Sequence, residues 1–196
     1  MIDNLLLATR NRGKIEEIAP FLNGIVKDLI SLAQIDGLVD IEETGKTYEE
    51  NAIRKAESLF KQTGIVTLAD DSGLEVDALD GQPGVFSARF AGKDAADAEN
   101  NEKLLNLMRH VPVSDRGGRF RCVMALAMTE ETRTFEGVVE GEIALSPVGI
   151  HGFGYDPLFI PHGYDKTFAE LGNDIKSRIS HRIRALEKVG RFIKTI

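Results

Sequence analysis

Three rhythms of apolar and polar residues run along this chain, and each predicts a kind of element. Short unbroken apolar runs come first. Leu5, Leu6, Leu7 and Ala8 form one, the signature of a strand buried on both faces. A second strand is expected over residues 25–30, with an irregular stretch over 31–40. Ile65, Val66, Leu68 and Ala69 then lead into Asp70, Asp71, Ser72 and Gly73. This "LADDSGLEVD" stretch reads as a buried strand that delivers two carboxylates at its end, with a tight turn at Gly73.

The second rhythm repeats every three or four residues and predicts helices. Ile15, Ile18, Ala19 and Leu22 give one; Ala52, Ala56, Leu59 and Phe60 give another. Thr47, with Glu50 three residues on, supplies a capping box for the latter, and Gly64 ends it. A helix over about 97–108 buries Leu104, Leu105 and Met108. Ile175, Ile179, Ile183, Leu186, Val189 and Ile193 predict one C-terminal helix, with Lys176, Ser180, His181 and Arg182 off its stripe.

The third rhythm is strict alternation. Phe120, Cys122, Met124, Leu126 and Met128 share one face of a strand over 119–129. Glu130 and Glu131 turn the chain into a second strand over 133–143, so a β-hairpin makes the sheet mixed.

Two stretches follow no rhythm. "ALDGQPGVFSARFAGKDA" is long and Gly-rich, with Arg89 and Lys93 making it cationic and Phe86 and Phe90 as expected anchors. Long unstructured connections tend to be functional or mobile. "GIHGFGYDPLFIPHGYDKTFAEL" is dense in Gly, Pro and aromatics, with an apolar stub at 158–160. Its glycines allow close backbone approach to a ligand, and its rings suit stacking on a base; a well-packed turn fits the same residues equally well.

Composition narrows the field. The 196 residues are 42% hydrophobic, enough for one domain (1–196) or two closely joined lobes. The formal net charge of −7 makes sequence-independent duplex nucleic-acid binding a poor fit. A local cationic pocket or bound metal still admits a small phosphate-bearing ligand. With one cysteine, Cys122, no intramolecular disulfide or multi-thiolate metal site forms. The opening "MIDNLLLATRNRGK" lacks the apolar length of a signal peptide, and no run approaches membrane-spanning length. The expectation is a soluble cytoplasmic protein with no nucleic-acid or membrane partner.

Candidate chemistry sits at the junctions. Adjacent Asp70 and Asp71 repel, and holding both ionised usually takes a cation; Asp-Asp-Ser-Gly is also ordinary turn chemistry. "TRNRGK" joins a strand to a helix whose first-turn amides, with Lys14, favour an anion. It lacks P-loop spacing, and a plain connection reads as well. Glu42 and Glu43 precede the second helix, and they gain a metal role only beside Asp70 and Asp71.

Taken together, "TRNRGK", "EETGKTYEENA", "LADDSGL", "GFGYDPLF" and "SHRIRAL" resemble, in order and spacing, the Ham1-type nucleoside triphosphate pyrophosphatases, the inosine/xanthosine triphosphatase family. "PGVFSARFAG" looks like that family's segment after the acidic motif. The resemblance runs from about residue 4 to the end of the chain. One departure is Arg10, where the family usually has glycine, so the backbone there must tolerate a side chain.

The resemblance implies a three-layer α/β fold with a long mixed β-sheet, two lobes flanking an active-site cleft, and a homodimer. It implies Mg²⁺-dependent hydrolysis of non-standard purine triphosphates to monophosphate and pyrophosphate. Carried onto this chain, Thr9, Arg10, Asn11 and Lys14 hold phosphates, and Arg12, Gly13 and Lys55 join the substrate-binding set. Asp71 is proton acceptor and metal ligand, with Glu42 as second carboxylate ligand. Ser72, Phe153, Gly154, Tyr155, Asp156, Lys176, His181 and Arg182 contact the nucleotide.

The residues suit that chemistry. Mg²⁺ takes one or two carboxylates and bridges phosphate oxygens. The aspartate beside Asp71 is expected to raise the proton affinity of the pair. Lys14, Lys55 and Lys176 stabilise a pyrophosphate leaving group. Donors from Arg182 and a protonated His181 pair with the C6 oxygen of inosine and xanthosine and clash with the amine of adenine. Two rivals remain: a Mg²⁺-dependent phosphomonoesterase with an aspartate nucleophile, and a non-catalytic nucleotide-binding domain.

Overall fold

Leu5, Leu6 and Leu7 lie in β1 (Asn4–Leu7), all three buried as their apolar run predicts. The structure is a computed structural model that describes residues 2–39, 41 and 43–196. Six strands form one sheet in the order β2-β1-β3-β4-β5-β6. β1 runs parallel to β2 (Asp28–Ser31) and to β3 (Val66–Val76). β4 (Gly117–Ala127) and β5 (Thr132–Ile143) are neighbours joined by residues 128–131, the expected hairpin. β5 pairs antiparallel with β6 (Phe159–Pro161), so the fold is α/β with a mixed sheet.

The chain divides into two units. The first comprises residues 1–71, 122–137 and 182–196. It holds α1 (Arg12–Leu22), α2 (Tyr48–Thr63) and all but the first residue of α5 (His181–Ile193). Its core joins Leu5, Leu7 and Leu68 from the strands to Ile18 and Leu22 of α1 and Leu186 of α5. Thr47 caps α2 by accepting from the Glu50 amide, and Gly64 closes it at φ 69°.

The second unit comprises residues 72–121 and 138–181. It contains α3 (Asp97–Leu107) and α4 (Phe168–Ile179). Leu74, Leu104, Met108 and Phe120 pack there with Phe159 and Phe168. The Phe120 and Phe159 rings lie 4.7 Å apart and Phe159 and Phe168 5.5 Å apart.

Several expectations are corrected. There is no turn at Gly73: β3 passes straight through the acidic stretch to Val76. Leu74 and Val76 are fully buried, and burial of alternate positions overrides local turn preference. The second strand begins at Asp28 rather than Ile25. The long glycine-rich connection carries short 3₁₀ turns at Asp77–Leu79 and Gly84–Arg89, and Phe86 is exposed rather than an anchor.

The single C-terminal helix is two helices. Gly172, at φ 72°, interrupts α4, and Ser180 is extended between α4 and α5. Serine before a helix is favoured as its cap, and spacing of three or four continues unchanged across such a break. Lys176, Ser180, His181 and Arg182, off the apolar stripe, are all buried.

Candidate active site

Successive residues of a strand point to opposite faces, so β3 separates Asp70 from Asp71. Asp70 is 2% exposed and lies 2.8 Å from Lys14 Nζ. Arg182 Nε stands 3.6 Å from the same oxygen, and the guanidinium also pairs with Glu17 of α1. Burial alone would push the Asp70 carboxyl up, but Lys14, Arg182 and Lys55 outweigh it and hold it well below the usual carboxylate range. Asp70 is therefore a fixed negative charge, neutralised by side chains. Burial likewise opposes the Arg182 charge, and Glu17 and Asp70 outweigh it.

Asp71 has the reverse environment. It is 5% exposed and accepts a 2.8 Å hydrogen bond from Asn51 Nδ2 of α2. Burial first, then the Glu43 charge, push its pKa up to about 6. The sequence points to Asp70 as the carboxylate raising Asp71; the structure gives that part to burial and Glu43, because strand alternation turns Asp70 away. Lys55 ties the group together: Nζ pairs with Glu43 and donates to the Asp70 carbonyl at 2.8 Å. Its own burial disfavours the charge, and Asp70 and Glu43 more than compensate. Glu42, the expected second metal ligand, lies outside the described residues.

The first block folds as a capped helix start. Asn11 precedes α1 and its Oδ1 accepts from the Lys14 amide at 3.0 Å. Thr9 Oγ1 accepts from the Asn11 amide at 3.1 Å. Arg10 and Arg12 are exposed, with Arg12 Nε 2.9 Å from Glu16, and Gly13 is half-buried. Among the described residues only Asp80 combines a side chain with positive φ. Arg10 therefore replaces glycine without backbone strain.

A second group forms in the other unit. Asp156, 1% exposed, pairs with buried Lys176 and accepts from the Phe153 amide at 2.9 Å. Lys176 Nζ sits 4.5 Å from the Phe153 ring centroid, a cation–π contact that fixes one ring face. Gly152, at φ 78°, lies against the Asp156 carboxylate, so a side chain there would collide with it. Tyr155 is buried and donates to the Ser87 carbonyl at 2.9 Å. Tyr155 is buried and Phe153 half-buried, so the Phe153 ring is the more accessible of the two for a base platform. His181 stacks on Phe120 at 4.8 Å, and Ser72 is a half-buried residue of β3.

Sequence reasoning missed Asn51 and Glu17. Asn51 carries a readable signal: it is a polar residue within the buried stripe of α2, beside Tyr48 and Ala52. Buried polar groups are kept where they have partners. Glu17 has no such signal, since its partner Arg182 is 165 residues away.

Such an α/β fold, with one aspartate held ionised by cations and another pushed up to about 6 among lysines, makes this a candidate acid–base site of a kind suited to phosphate chemistry. The Ham1 family model matches residues 5–192. The chain is 47% identical to a dITP/XTP pyrophosphatase of Bacillus licheniformis, covering 96% of this chain and 97% of that one. It is 50% identical to a protein of the same name from Geobacter sulfurreducens, covering 93% and 92%. A solved HAM1 protein from Coxiella burnetii matches with TM-score 0.91 and 42% identity, covering 100% of both chains. The Staphylococcus aureus Ham1 protein matches at TM-score 0.89 and 41% identity, covering 98% and 99%. This chain belongs to the Ham1 family.

Proposed function

We propose that this chain hydrolyses non-canonical purine nucleoside triphosphates (those of inosine, deoxyinosine and xanthosine) to the monophosphate and pyrophosphate, cleansing the nucleotide pool. The carrying observation is Asp71, a buried carboxylate whose pKa of about 6 suits a general base near neutral pH. The names of its relatives support the substrate class.

In this reading Asp71 takes the proton of a water whose oxygen attacks phosphorus. The anhydride bond between the α and β phosphates breaks, and its electron pair leaves with pyrophosphate. Lys14 and Lys55, with Lys176, oppose the charge that gathers on that leaving group. Thr9, Arg10, Asn11, Arg12 and Gly13 contact the phosphates at the start of α1, where the helix dipole favours an anion. Phe153 offers the ring to the base, and Gly154, Tyr155 and Asp156, with Ser72 and His181, complete the nucleotide-contact set, Tyr155 and Asp156 from buried positions that shape the loop. Arg182 has two roles, a donor toward the C6 oxygen and a counter-charge that keeps Asp70 ionised.

The donor set suits Mg²⁺. Asp71 offers hard carboxylate oxygens, and its raised proton affinity means that a cation would relieve it. Mg²⁺ is commonly held by one or two carboxylates together with substrate phosphates. Asp71 and Glu42 would hold it, Glu43 being engaged by Lys55. Bound there, Mg²⁺ neutralises phosphate charge. A homodimer in the cytoplasm completes the proposal. Exposed Leu145, Val148 and Ile150 support the dimer, and the nucleotide pool supports the compartment. No helix among the described residues is long and apolar enough to cross a membrane.

The test is product analysis with inosine, deoxyinosine and xanthosine triphosphates against ATP, with Mg²⁺ or with EDTA. Pyrophosphate from the first three, lost in EDTA, is expected. Inorganic phosphate with an aspartyl intermediate would establish the phosphomonoesterase instead, and binding without turnover a sensor domain.

A further inference from the structure

Gly154 is a residue with no steric reason to hold its conformation. Its φ is 61°, and a Cβ built on it would meet nothing within 4 Å. Left to itself, such a glycine would let the residues on either side reorient. Yet both of its backbone polar groups are gripped by one helix. The Gly154 amide donates to Asp97 Oδ2 at 2.6 Å, and its carbonyl accepts from Asn101 Nδ2 at 3.0 Å. Asp97 and Asn101 are four residues apart on α3, hence on one face of it.

Asn101 is buried, and its Oδ1 has no hydrogen-bond partner among the described residues. A buried amide oxygen without a partner carries a desolvation cost. An apolar residue of similar size would avoid that cost, so core packing does not account for asparagine here. Its Nδ2 is spent on the Gly154 carbonyl. Next to it, Asn100 serves the neighbouring segment, accepting from the Ala91 amide at 2.8 Å and donating to the Ala88 carbonyl at 3.3 Å.

We propose that Asp97 and Asn101 are positioning residues for nucleotide recognition: by fixing both peptide groups of Gly154 they hold the Phe153 ring in the pose that meets the purine. The inference rests on the reading of the loop at 153–156 as a nucleotide contact. Fixing the loop before ligand arrives removes an ordering cost that binding would otherwise carry. Its effect therefore falls on KM rather than on kcat.

Steady-state kinetics with inosine triphosphate, thermal melting and amide hydrogen exchange test it, using Asp97→Ala, Asp97→Asn, Asn101→Leu and Phe153→Ala. Losing one clamp should raise KM about three- to tenfold, the range of a single hydrogen bond, with kcat little changed. Exchange of the Gly154 amide should quicken in Asp97→Ala. Asp97→Asn, which keeps an acceptor oxygen and removes the charge, should restore both. Asn101→Leu should melt no lower than the wild type. Unchanged KM in Asp97→Ala and Asn101→Leu, with KM raised in Phe153→Ala, overturns the positioning role alone. Unchanged KM in Phe153→Ala overturns the nucleotide-contact reading and the inference with it. A fall in kcat that Asp97→Asn does not rescue points to a structural role of α3 and also overturns it.

Discussion

Asn51 Nδ2 donates to Asp71 at 2.8 Å while Asn51 Oδ1 accepts from the Gly45 amide at 2.7 Å. One buried amide thus joins the proposed base to the backbone of the segment that carries Glu43. It leaves Asp71 oriented but not neutralised, because an amide donor opposes the upward shift from burial and Glu43 without cancelling it.

Asp71→Asn should abolish turnover and stabilise the protein. An amide cannot take the proton. The Asp71 pKa rises from 3.8 to about 6 on folding, so the stability it contributes is full below 3.8 and is lost as pH rises through about 6. Urea unfolding in EDTA should show equal stability near pH 4 and an advantage for the variant of up to about 3 kcal/mol at pH 8. For activity without substitution, a base that must be deprotonated predicts kcat/KM falling on the acid side of neutrality.

Asn51→Asp keeps the acceptor for Gly45 and replaces the donor to Asp71 with a like charge. Stability at pH 8 should drop by about 2 kcal/mol and recover on acidification. The acid limb of the kcat/KM profile should move to higher pH. An unshifted limb would mean that Asn51 does not set the Asp71 environment.

Lys14→Met removes the nearest counter-charge of Asp70. Asp70 is depressed in the folded state, so the stability it provides is present above 3.8 and lost as pH falls below it. The variant should lose about 2–3 kcal/mol at pH 7, Arg182 at 3.6 Å keeping the loss below that of an isolated buried pair. The deficit should shrink below pH 4, as followed by thermal melting across pH.

Gly152→Ala places a Cβ against the Asp156 carboxylate at a φ of 78°. The collision should disturb the Lys176–Asp156 pair and cost about 2 kcal/mol or more. The KM for inosine triphosphate should rise, since the amide of Phe153 is held by the same carboxylate.

Local rhythm was enough to find α1, α2, α3, the β4–β5 hairpin and the apolar strand that leads to the acidic pair. Those elements bury one regular face, and burial periodicity is written in the order of residues. The same periodicity could not show that β3 runs on through Asp-Asp-Ser-Gly, because turn chemistry and a half-buried strand use the same residues there. Nor could it show that the last stripe is broken at Gly172 and Ser180.

The sequence by itself determined the family, through five short blocks in fixed order, and the residue types available for phosphate chemistry. Only the tertiary structure decided what each carboxylate is. Asp70 and Asp71 are chemically identical neighbours, yet one is held ionised by Lys14 and Arg182 while the other titrates near neutrality beside Glu43. Proton affinity depends on burial and on charges brought in from distant parts of the chain. Those distances exist once the chain has folded, and linear order does not contain them.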